Sequence, residues 1–271
     1  MSFANAEYAL GRSQQEYARL IRQAALVEPM TRRLFKDAGI VPGMRVLDIG
    51  SGTGDVCMLL SEMVDPTGNV IGVDLDADVV RFARERVAPL GFRNITFVQC
   101  EFSQYAPDAP FDAIVGRSVL MYQPDPSATL AKAATHLRPG GAVAFMEPWI
   151  SLPQGPDSTT KRVATCIVET LRRSGARLDL GPRLHKVFTA AGLPQPKMRF
   201  EGVMDGRDDS PLYQHFADTM ASLLPKAIEY GIATPGEIEV EKIPEYLRAA
   251  TESVGYAVAG MPTVLAWCRT A

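Results

Sequence analysis

The stretch that decides the fold is Val46-Leu47-Asp48-Ile49-Gly50-Ser51-Gly52-Thr53-Gly54-Asp55. A short run of branched apolar residues is typical of a buried strand. The glycines that follow allow positive φ angles and a close approach of the backbone to a ligand. The next segment predicts a helix, whose first turn presents unpaired N–H groups and a partial positive charge. The stretch therefore predicts a strand, a glycine loop and a helix, with a ligand site where they meet.

Similar apolar runs recur toward the C-terminus. They cover residues 70–74, 95–98, 111–115 and 141–146. Helix-length segments such as 77–88 and 126–137 separate them, and the second of these begins with a capping Asp125 and a first-turn Pro126. Since near-continuous apolar strands alternate with helices, the pattern predicts a parallel α/β sheet.

The N-terminal forty residues have a helical pattern. Ser13-Gln14-Gln15-Glu16 fits a capping box, and apolar residues then recur at helical spacing as far as Leu34. Because the predicted sheet does not require this segment, we assign residues 1–39 to an N-terminal helical arm or lid.

The C-terminal half changes in composition after Glu147. It predicts helices at 158–173, 183–191, 210–230 and 235–254, and strands at 197–204 and 263–267. A stripe of apolar residues recurs every four positions, at Leu212, Phe216, Met220, Leu224 and Ile228. We therefore predict a core of residues 40–207 and 256–271 with a helical cap insertion at 208–255, and we expect the stripe to pack within the cap or to face an apolar pocket.

Composition excludes several classes of protein. The chain has 271 residues and a net charge of −3, and a dedicated nucleic-acid binder would usually be basic. No apolar run approaches the ~18 residues of a membrane span. The N-terminus lacks the pattern of a secretory signal. The four cysteines lie far apart and only three histidines are present, so we predict reduced thiols, a cytoplasmic location and no metal site. The composition does not indicate an oligomeric state.

The spacing of the glycines restricts the ligand. A dinucleotide fingerprint would read G-x-G-x-x-G, but the glycines lie at 50, 52 and 54, and Asp55 occupies the sixth position. A carboxylate there would repel a pyrophosphate, and no lysine follows as in a phosphate-binding loop. The loop therefore suits an adenosyl ligand without phosphates. Asp74, at the end of the second strand, can accept hydrogen bonds from ribose hydroxyls.

Five segments in this order resemble the motifs of class I S-adenosyl-L-methionine (SAM) dependent methyltransferases of the small-molecule type. They are Asp48–Gly54, Val73-Asp74-Leu75, Cys100-Glu101-Phe102, Phe111–Leu120 and Leu137–Gly141. The group that they resemble includes the menaquinone/ubiquinone C-methyltransferases. The resemblance implies a Rossmann-like, seven-stranded, mostly parallel sheet with an antiparallel last strand, and SAM as cofactor.

The resemblance also implies the cofactor-binding residues. They are Asp48, Gly50, Ser51, Gly52, Asp74, Leu75, Glu101, Phe102 and Arg117. Asp74 would bind the ribose hydroxyls and Leu75 would pack on the adenine. Glu101 would accept a hydrogen bond from the adenine amino group, which the backbone N–H of Phe102 would approach. Asp48 would support the glycine loop, and the backbone around Arg117 would border the methionine end.

Other residues are candidates for the methyl acceptor or for a lid. Four side chains could orient or deprotonate the acceptor, namely Tyr122, Glu147, His185 and His215. Each also fits an ordinary structural role, such as capping a loop in the case of Glu147. Three residues of the N-terminal arm could close over the cofactor, namely Tyr8, Arg12 and Gln23.

These patterns predict a SAM-dependent enzyme that transfers a methyl group to a small, apolar or aromatic metabolite by in-line displacement. The protein would mainly align the acceptor with the methyl carbon. A SAM-binding protein without methyl transfer, either a sensor or a catalyst of another reaction, fits the cofactor motifs equally well. Aminopropyl transfer and dinucleotide-dependent oxidation are further alternatives, and Asp55 argues against the second. The sequence does not separate methylation at oxygen, nitrogen or carbon.

Overall fold

The computed structural model describes residues 9–11, 13–150 and 157–271. The strands are β1 (Arg45–Ile49), β2 (Asn69–Asp74), β3 (Ile95–Gln99), β4 (Phe111–Arg117), β5 (Leu137–Pro148), β6 (Lys197–Asp205) and β7 (Val258–Arg269). The helices are α1 (Gln14–Asp37), α2 (Asp55–Val64), α3 (Ala77–Val87), α4 (Pro126–Ala134), α5 (Ser158–Arg173), α6 (Leu180–Ala190), α7 (Pro211–Glu229) and α8 (Ile243–Val254).

The strands form one seven-stranded sheet in the order β3-β2-β1-β4-β5-β7-β6. Neighbouring strands from β3 to β5 are parallel, whereas β7 runs antiparallel to both β5 and β6. This confirms the predicted Rossmann-like, mostly parallel sheet with an antiparallel last strand. Chain order reverses between β1 and β4, and open α/β sheets bind ligands at the carboxyl ends of the strands beside such a reversal.

The helix starts follow the capping residues of the sequence. Ser13 accepts a hydrogen bond from the N–H of Glu16 at 3.2 Å, and Asp125 caps α4 ahead of Pro126. The predicted end of α4 at residue 137 is wrong, because Leu137 pairs with Phe111 in the sheet and therefore belongs to β5. Propensity alone could not reveal this pairing, which depends on a distant strand.

Hydrophobic clusters cover both faces of the sheet. Alternate strand residues serve opposite faces, so Leu47 belongs to one cluster and Val46 to the other. Leu34 and Phe35, near the end of α1, are fully buried in the same cluster as Val46. The C-terminal half of α1 is thus part of the core.

Helices from two parts of the chain cover the carboxyl edge of the sheet. α7 packs against α1, α5 and α8, whereas α6 packs on α4 and the sheet. The covering layer therefore includes α5, which lies in the range predicted as core. Among the described helices, none combines the length and the apolar character that crossing a membrane requires.

Candidate cofactor and acceptor site

A cavity of about 1530 Å³ lies between the carboxyl ends of the strands and the covering helices. We call one part of its wall the cofactor end, which comprises Gly50, Ser51, Gly52, Asp74, Leu75, Glu101, Phe102 and Arg117. We call another part the acceptor end, which comprises Glu16, Arg19, Gln23, Tyr122, Ile167, His215, Phe216 and Thr219. Eight of the nine predicted cofactor-binding residues therefore line one cavity, and Asp48 lies behind its wall.

The glycine loop has the backbone that its sequence predicts. Gly50 has a φ of 72° and Gly52 a φ of 49°, both in the left-handed region. The N–H groups of Gly50 and Ser51 donate to the carbonyl of Val73 at 2.8 and 3.1 Å, which fixes the loop to β2. A Cβ atom on Gly50 would lie 2.6 Å from Cγ2 of Val119, whereas one on Gly52 would meet nothing within 4 Å. The loop thus packs tightly at Gly50 and leaves open space at Gly52.

Asp74 links the first two strand ends. Its Oδ2 accepts from the N–H of Gly52 at 2.9 Å, and its Oδ1 accepts from the N–H of Asp76 at 3.0 Å. Burial raises the pKa of Asp74, although the backbone N–H donors favour the charged form. Each carboxylate oxygen keeps a further lone pair for a hydroxyl group. Leu75, next in the chain, is 59% exposed and offers an apolar surface to a flat base.

The end of β3 adds a second carboxylate. Glu101 is exposed at the cavity wall and accepts a hydrogen bond from the hydroxyl of Ser103 at 2.7 Å. Phe102 begins a short 3-10 turn, and its ring lies nearly perpendicular to the His136 ring with the centroids 6.2 Å apart. The exposed carboxylate of Glu101 can accept a hydrogen bond from an amino group, which is the role that the resemblance implies for it.

Buried polar atoms lie beside the glycine loop. Asp48 accepts from the thiol of Cys57 at 3.2 Å through Oδ2. Its Oδ1 and the hydroxyl of Ser51 are buried without a hydrogen-bond partner among the described residues. Burial raises the pKa of Asp48 to about 7. Unsatisfied polar atoms at a cavity are typical of a ligand site.

Arg117 brings a cation to the same wall. Its Nη1 donates to the hydroxyl of Thr31 at 3.3 Å. Burial lowers its pKa, while the nearby charges of Asp55 and Asp48 raise it. Together with the open space at Gly52 and the hydroxyl of Ser51, this cation fits a zwitterionic amino-acid group. The prediction concerned only the backbone at Arg117, and the side chain adds a charge that the motif did not reveal.

The four acceptor candidates lie in different places. Tyr122 and His215 line the cavity, but His185 is exposed on α6 and does not. Glu147 is fully buried outside the cavity wall. Its Oε1 accepts from the N–H groups of Val119 and Leu120, and its Oε2 accepts from that of Met121, at 2.8 to 3.1 Å.

The contacts of Glu147 therefore match the capping alternative. It holds the 3-10 turn Leu120–Tyr122, which carries Tyr122 to the cavity. Burial raises the pKa of Glu147 to about 7. Burial also lowers the pKa of His215 to about 4, so that its imidazole is neutral near pH 7. Burial raises the pKa of Tyr122, which keeps the phenol protonated.

The structure describes one of the three residues predicted to form a lid. Gln23 lines the cavity and accepts a hydrogen bond from Arg19. Tyr8 and Arg12 lie outside the described residues.

The structure reveals site residues that the sequence reasoning missed. Glu16 and Arg19 form a buried ion pair in the cavity wall. Trp149, Phe200 and Met204 line the cavity while remaining 37%, 59% and 70% exposed, so they form an apolar mouth. The sequence pattern that could have predicted the ion pair is the spacing of Glu16 and Arg19, which carry opposite charges three residues apart on the predicted helix α1. No local sequence pattern predicts this apolar mouth, because Trp149 follows β5 whereas Phe200 and Met204 belong to β6.

Comparison with known proteins agrees with this geometry. A methyltransferase domain family matches residues 40–192, which is more than half of the chain. The aklanonic acid methyltransferase of Streptomyces sp. (strain C5) is 32% identical over 147 residues, which cover 53% of this chain and 67% of the relative. The chain belongs to the methyltransferase domain family, and this membership confirms the predicted enzyme class and SAM as the cofactor.

Other relatives match over shorter regions. An arsenite methyltransferase of Halobacterium salinarum is 34% identical over 47% of this chain and 34% of the relative. A ubiquinone/menaquinone biosynthesis C-methyltransferase of Pseudomonas savastanoi pv. phaseolicola is 34% identical over 41% of this chain and 44% of the relative. The chain thus spans about a third to two thirds of the length of these curated relatives.

A solved structure shares the fold. Phosphoethanolamine N-methyltransferase 2 of Haemonchus contortus, in complex with phosphomonomethylethanolamine and S-adenosylhomocysteine, superimposes with a TM-score of 0.60. It is 15% identical, and the match covers 98% of this chain and 60% of that chain.

Proposed function

We propose that the protein transfers the methyl group of SAM to a small, apolar or aromatic metabolite. The observation that carries this proposal is one cavity with two kinds of wall. Backbone, glycines and carboxylates form much of the cofactor end. The acceptor end and its mouth combine apolar side chains with the polar groups of α1 and α7, and the apolar ones are Ile167, Phe216, Trp149, Phe200 and Met204. Direct group transfer requires that the cofactor and the acceptor bind next to each other, as the two ends of one cavity would allow.

The cofactor end would hold SAM along its length. Asp74 would accept from the ribose hydroxyls, Leu75 and Phe102 would contact the adenine, and Glu101 would accept from its amino group. Arg117 would face the carboxylate of the methionine part, since its guanidinium lines the cavity beside the glycine loop. When bound, SAM supplies an electrophilic methyl group on a sulfonium.

The acceptor end would position the nucleophile. The covering helices α1 and α7 would exclude water, and Phe216 and Ile167 would contact the apolar body of the acceptor. His215 and Tyr122 would hydrogen-bond to a polar group on it. The neutral imidazole of His215 would be available to accept the proton that an acceptor hydroxyl releases.

The cysteines do not favour a thiophilic acceptor such as arsenite. Soft acceptors of this kind bind thiolates, and several thiols in one place would hold them. Of Cys57, Cys100, Cys166 and Cys268, only Cys100 lines the cavity. The cavity therefore does not support arsenite, the acceptor for which the halobacterial relative is named. Reduced thiols agree with a cytoplasmic location, which stays a prediction.

Calorimetric titration with S-adenosylhomocysteine tests the cofactor site, with NAD as the parallel control. We expect micromolar binding of the first and none of the second. Incubation with methyl-labelled SAM and a panel of uncharged aromatic acceptors then tests transfer. Binding of S-adenosylhomocysteine with no transfer to any acceptor would favour the SAM-binding alternative, and binding of NAD alone would overturn the proposal.

A further inference from the structure

The apolar mouth of the cavity exposes large side chains that the core does not bury. Phe200 is 59% exposed, Met204 is 70% exposed and Trp149 is 37% exposed. The rings of Trp149 and Phe200 lie with their centroids 5.4 Å apart. The N–H of Trp149 donates to the carbonyl of Pro262 at 2.8 Å, which joins the chain after β5 to β7. Because apolar surface is stabilised when it leaves water, such a group at a cavity entrance indicates that an apolar molecule binds there.

The wall beside the mouth differs in chemistry from the rest of the cavity. It comes from the segments 148–150, 200–204 and 259–262, and each described residue of these segments that lines the cavity is apolar, a glycine or a proline. The charged and titratable lining residues belong to α1, α4, α7 and positions 55–125. An apolar group at this wall would therefore displace water without taking the hydration from a charge.

Strand β6 directs its charges away from the mouth. Glu201 pairs with Arg33 of α1, and Arg199 pairs with Asp37 of α1 at 2.7 Å. Successive side chains of a strand point to opposite faces of the sheet. Phe200, which lies between Arg199 and Glu201, therefore faces away from α1 and meets Trp149 at the mouth.

The mouth is continuous with the acceptor end along α7. Gly260 lines the cavity beside the mouth, and a Cβ atom there would lie 2.8 Å from Cδ2 of Leu212 in the first turn of α7. His215 and Phe216 of the acceptor end follow about one turn later on the same helix, where one turn rises about 5.4 Å. A molecule that reaches from His215 to the mouth would therefore stay within one cavity.

We propose that the apolar mouth is a subsite for an apolar tail of the methyl acceptor. The acceptor class is an amphiphilic molecule, with a polar, methyl-accepting head at the acceptor end and a tail that contacts Trp149, Phe200 and Met204. This inference rests on the proposed function and specifies its acceptor. The cavity of about 1530 Å³ agrees with it, since typical ligand sites have about 300–1,000 Å³ and this one would hold the cofactor as well.

Two phenols with the same head and different tails measure binding at this subsite. The tail of 4-ethylphenol has two carbons, and that of 4-octylphenol has eight. With S-adenosylhomocysteine at saturation, calorimetry should show that the wild type binds 4-octylphenol about thirtyfold or more tightly than 4-ethylphenol, at one molecule per chain. This factor is smaller than six fully buried methylene groups would give, because the mouth leaves one side of the tail in water.

Substitutions at the mouth locate the tail. Phe200→Thr/Met204→Thr removes two exposed apolar side chains and introduces a residue type that suits a strand. Its affinity for 4-octylphenol should fall about tenfold, while its affinity for 4-ethylphenol should stay within about twofold of the wild type. If the double variant does not fold, Met204→Thr alone should lower the affinity for 4-octylphenol about threefold.

A matched control separates this effect from a general loss of apolar surface. Met198→Thr makes the same kind of change on the same strand, but Met198, which is 37% exposed, does not line the cavity. Its affinities for both phenols should equal those of the wild type. Unchanged binding of S-adenosylhomocysteine shows that each variant is folded.

The outcomes distinguish this inference from the proposed function. Failure of the wild type to bind S-adenosylhomocysteine would count against the proposed function itself. Normal binding of S-adenosylhomocysteine overturns only the inference if the wild type binds both phenols equally or neither, or if the double variant keeps its full affinity for 4-octylphenol. An equal loss in Met198→Thr, or an equal loss of both phenols in the double variant, would overturn it as well.

A second copy of the chain is the other occupant to test. Sedimentation of the wild type and of Phe200→Thr/Met204→Thr measures whether the mouth joins two copies. We expect the two proteins to have the same oligomeric state. A wild-type dimer that the double variant abolishes, with no change in affinity for 4-octylphenol, would assign the mouth to a second copy and overturn the inference.

Discussion

The cofactor end and the acceptor end of the cavity are built in different ways. The cofactor end comes from residues 50–117, where each group lies at the end of a parallel strand or in the loop that follows it. The acceptor end joins α1, α5 and α7, whose residues lie up to about two hundred positions apart. Contiguous motifs therefore describe one end, whereas only packing assembles the other.

The two ends also differ in what a substitution would change. The glycine loop needs positive φ angles and an acidic partner, so few residue types fit there. Side chains on the covering helices need only fill space or hydrogen-bond to an acceptor, so they can vary with the acceptor. The following changes test whether binding at the two ends can be separated.

The largest effect is expected from Asp74→Ala. It removes the acceptor of two backbone N–H groups and the proposed partner of the ribose hydroxyls. We expect the affinity for S-adenosylhomocysteine, measured by calorimetry, to fall ~100-fold or more. Asp78→Ala is the control, because that carboxylate is exposed on α3 and pairs with Arg81. Equal affinities in the two variants would contradict the assigned role of Asp74.

Gly50→Ala should have the next largest effect. An alanine with a φ of 72° costs ~1–2 kcal/mol, and its Cβ would press against Val119. Gly91→Ala is the control, because Gly91 has a similar φ of 81° but a Cβ atom there would meet nothing within 4 Å. Both should lower the melting temperature, and only Gly50→Ala should weaken S-adenosylhomocysteine binding, by about tenfold. Equal loss of binding in Gly91→Ala would point to general destabilisation.

Phe216→Ala tests the acceptor end alone. Its half-buried ring lines the cavity beside His215, with centroids 6.0 Å apart. Loss of this apolar surface should weaken binding of N-phenyl-1-naphthylamine about fivefold, as followed by fluorescence. Calorimetry should show unchanged S-adenosylhomocysteine affinity. A matching loss at the cofactor end would show that the two ends are coupled.

The smallest effect concerns pH. Burial raises the pKa of Asp48 to about 7 from 3.8, so the folded state binds one more proton than the unfolded state between these values. The free energy of unfolding should therefore fall as pH rises from about 4 to 7, and this contribution is lost above pH 7. Asp48→Asn should flatten the dependence of melting temperature on pH. Asp65→Asn, at an exposed position, should leave this pH dependence unchanged. If Asp48→Asn also left it unchanged, the burial of Asp48 would not be its cause.

Much of the core was predictable because it follows local rules. The spacing of Gly50 and Gly52, the acidic Asp74 after a second apolar strand and the capping Asp125 are all adjacent in sequence to the elements they control. Parallel strands bring their carboxyl ends to one edge, so motifs far apart in sequence are predicted to meet. This physical rule explains why the predicted cofactor-binding residues form or adjoin one cavity wall.

The sequence by itself determined the order of strands, loops and helices along the chain, the parallel α/β class and the residue types at the cofactor end, because backbone conformation follows from short-range patterns. Only the tertiary structure decided which charges became buried. It paired Glu16 with Arg19 at the acceptor end, turned Glu147 toward the backbone of a neighbouring loop, and left His185 in solvent. Burial and pairing depend on which helices meet, and that meeting sums many weak contacts between distant parts of the chain.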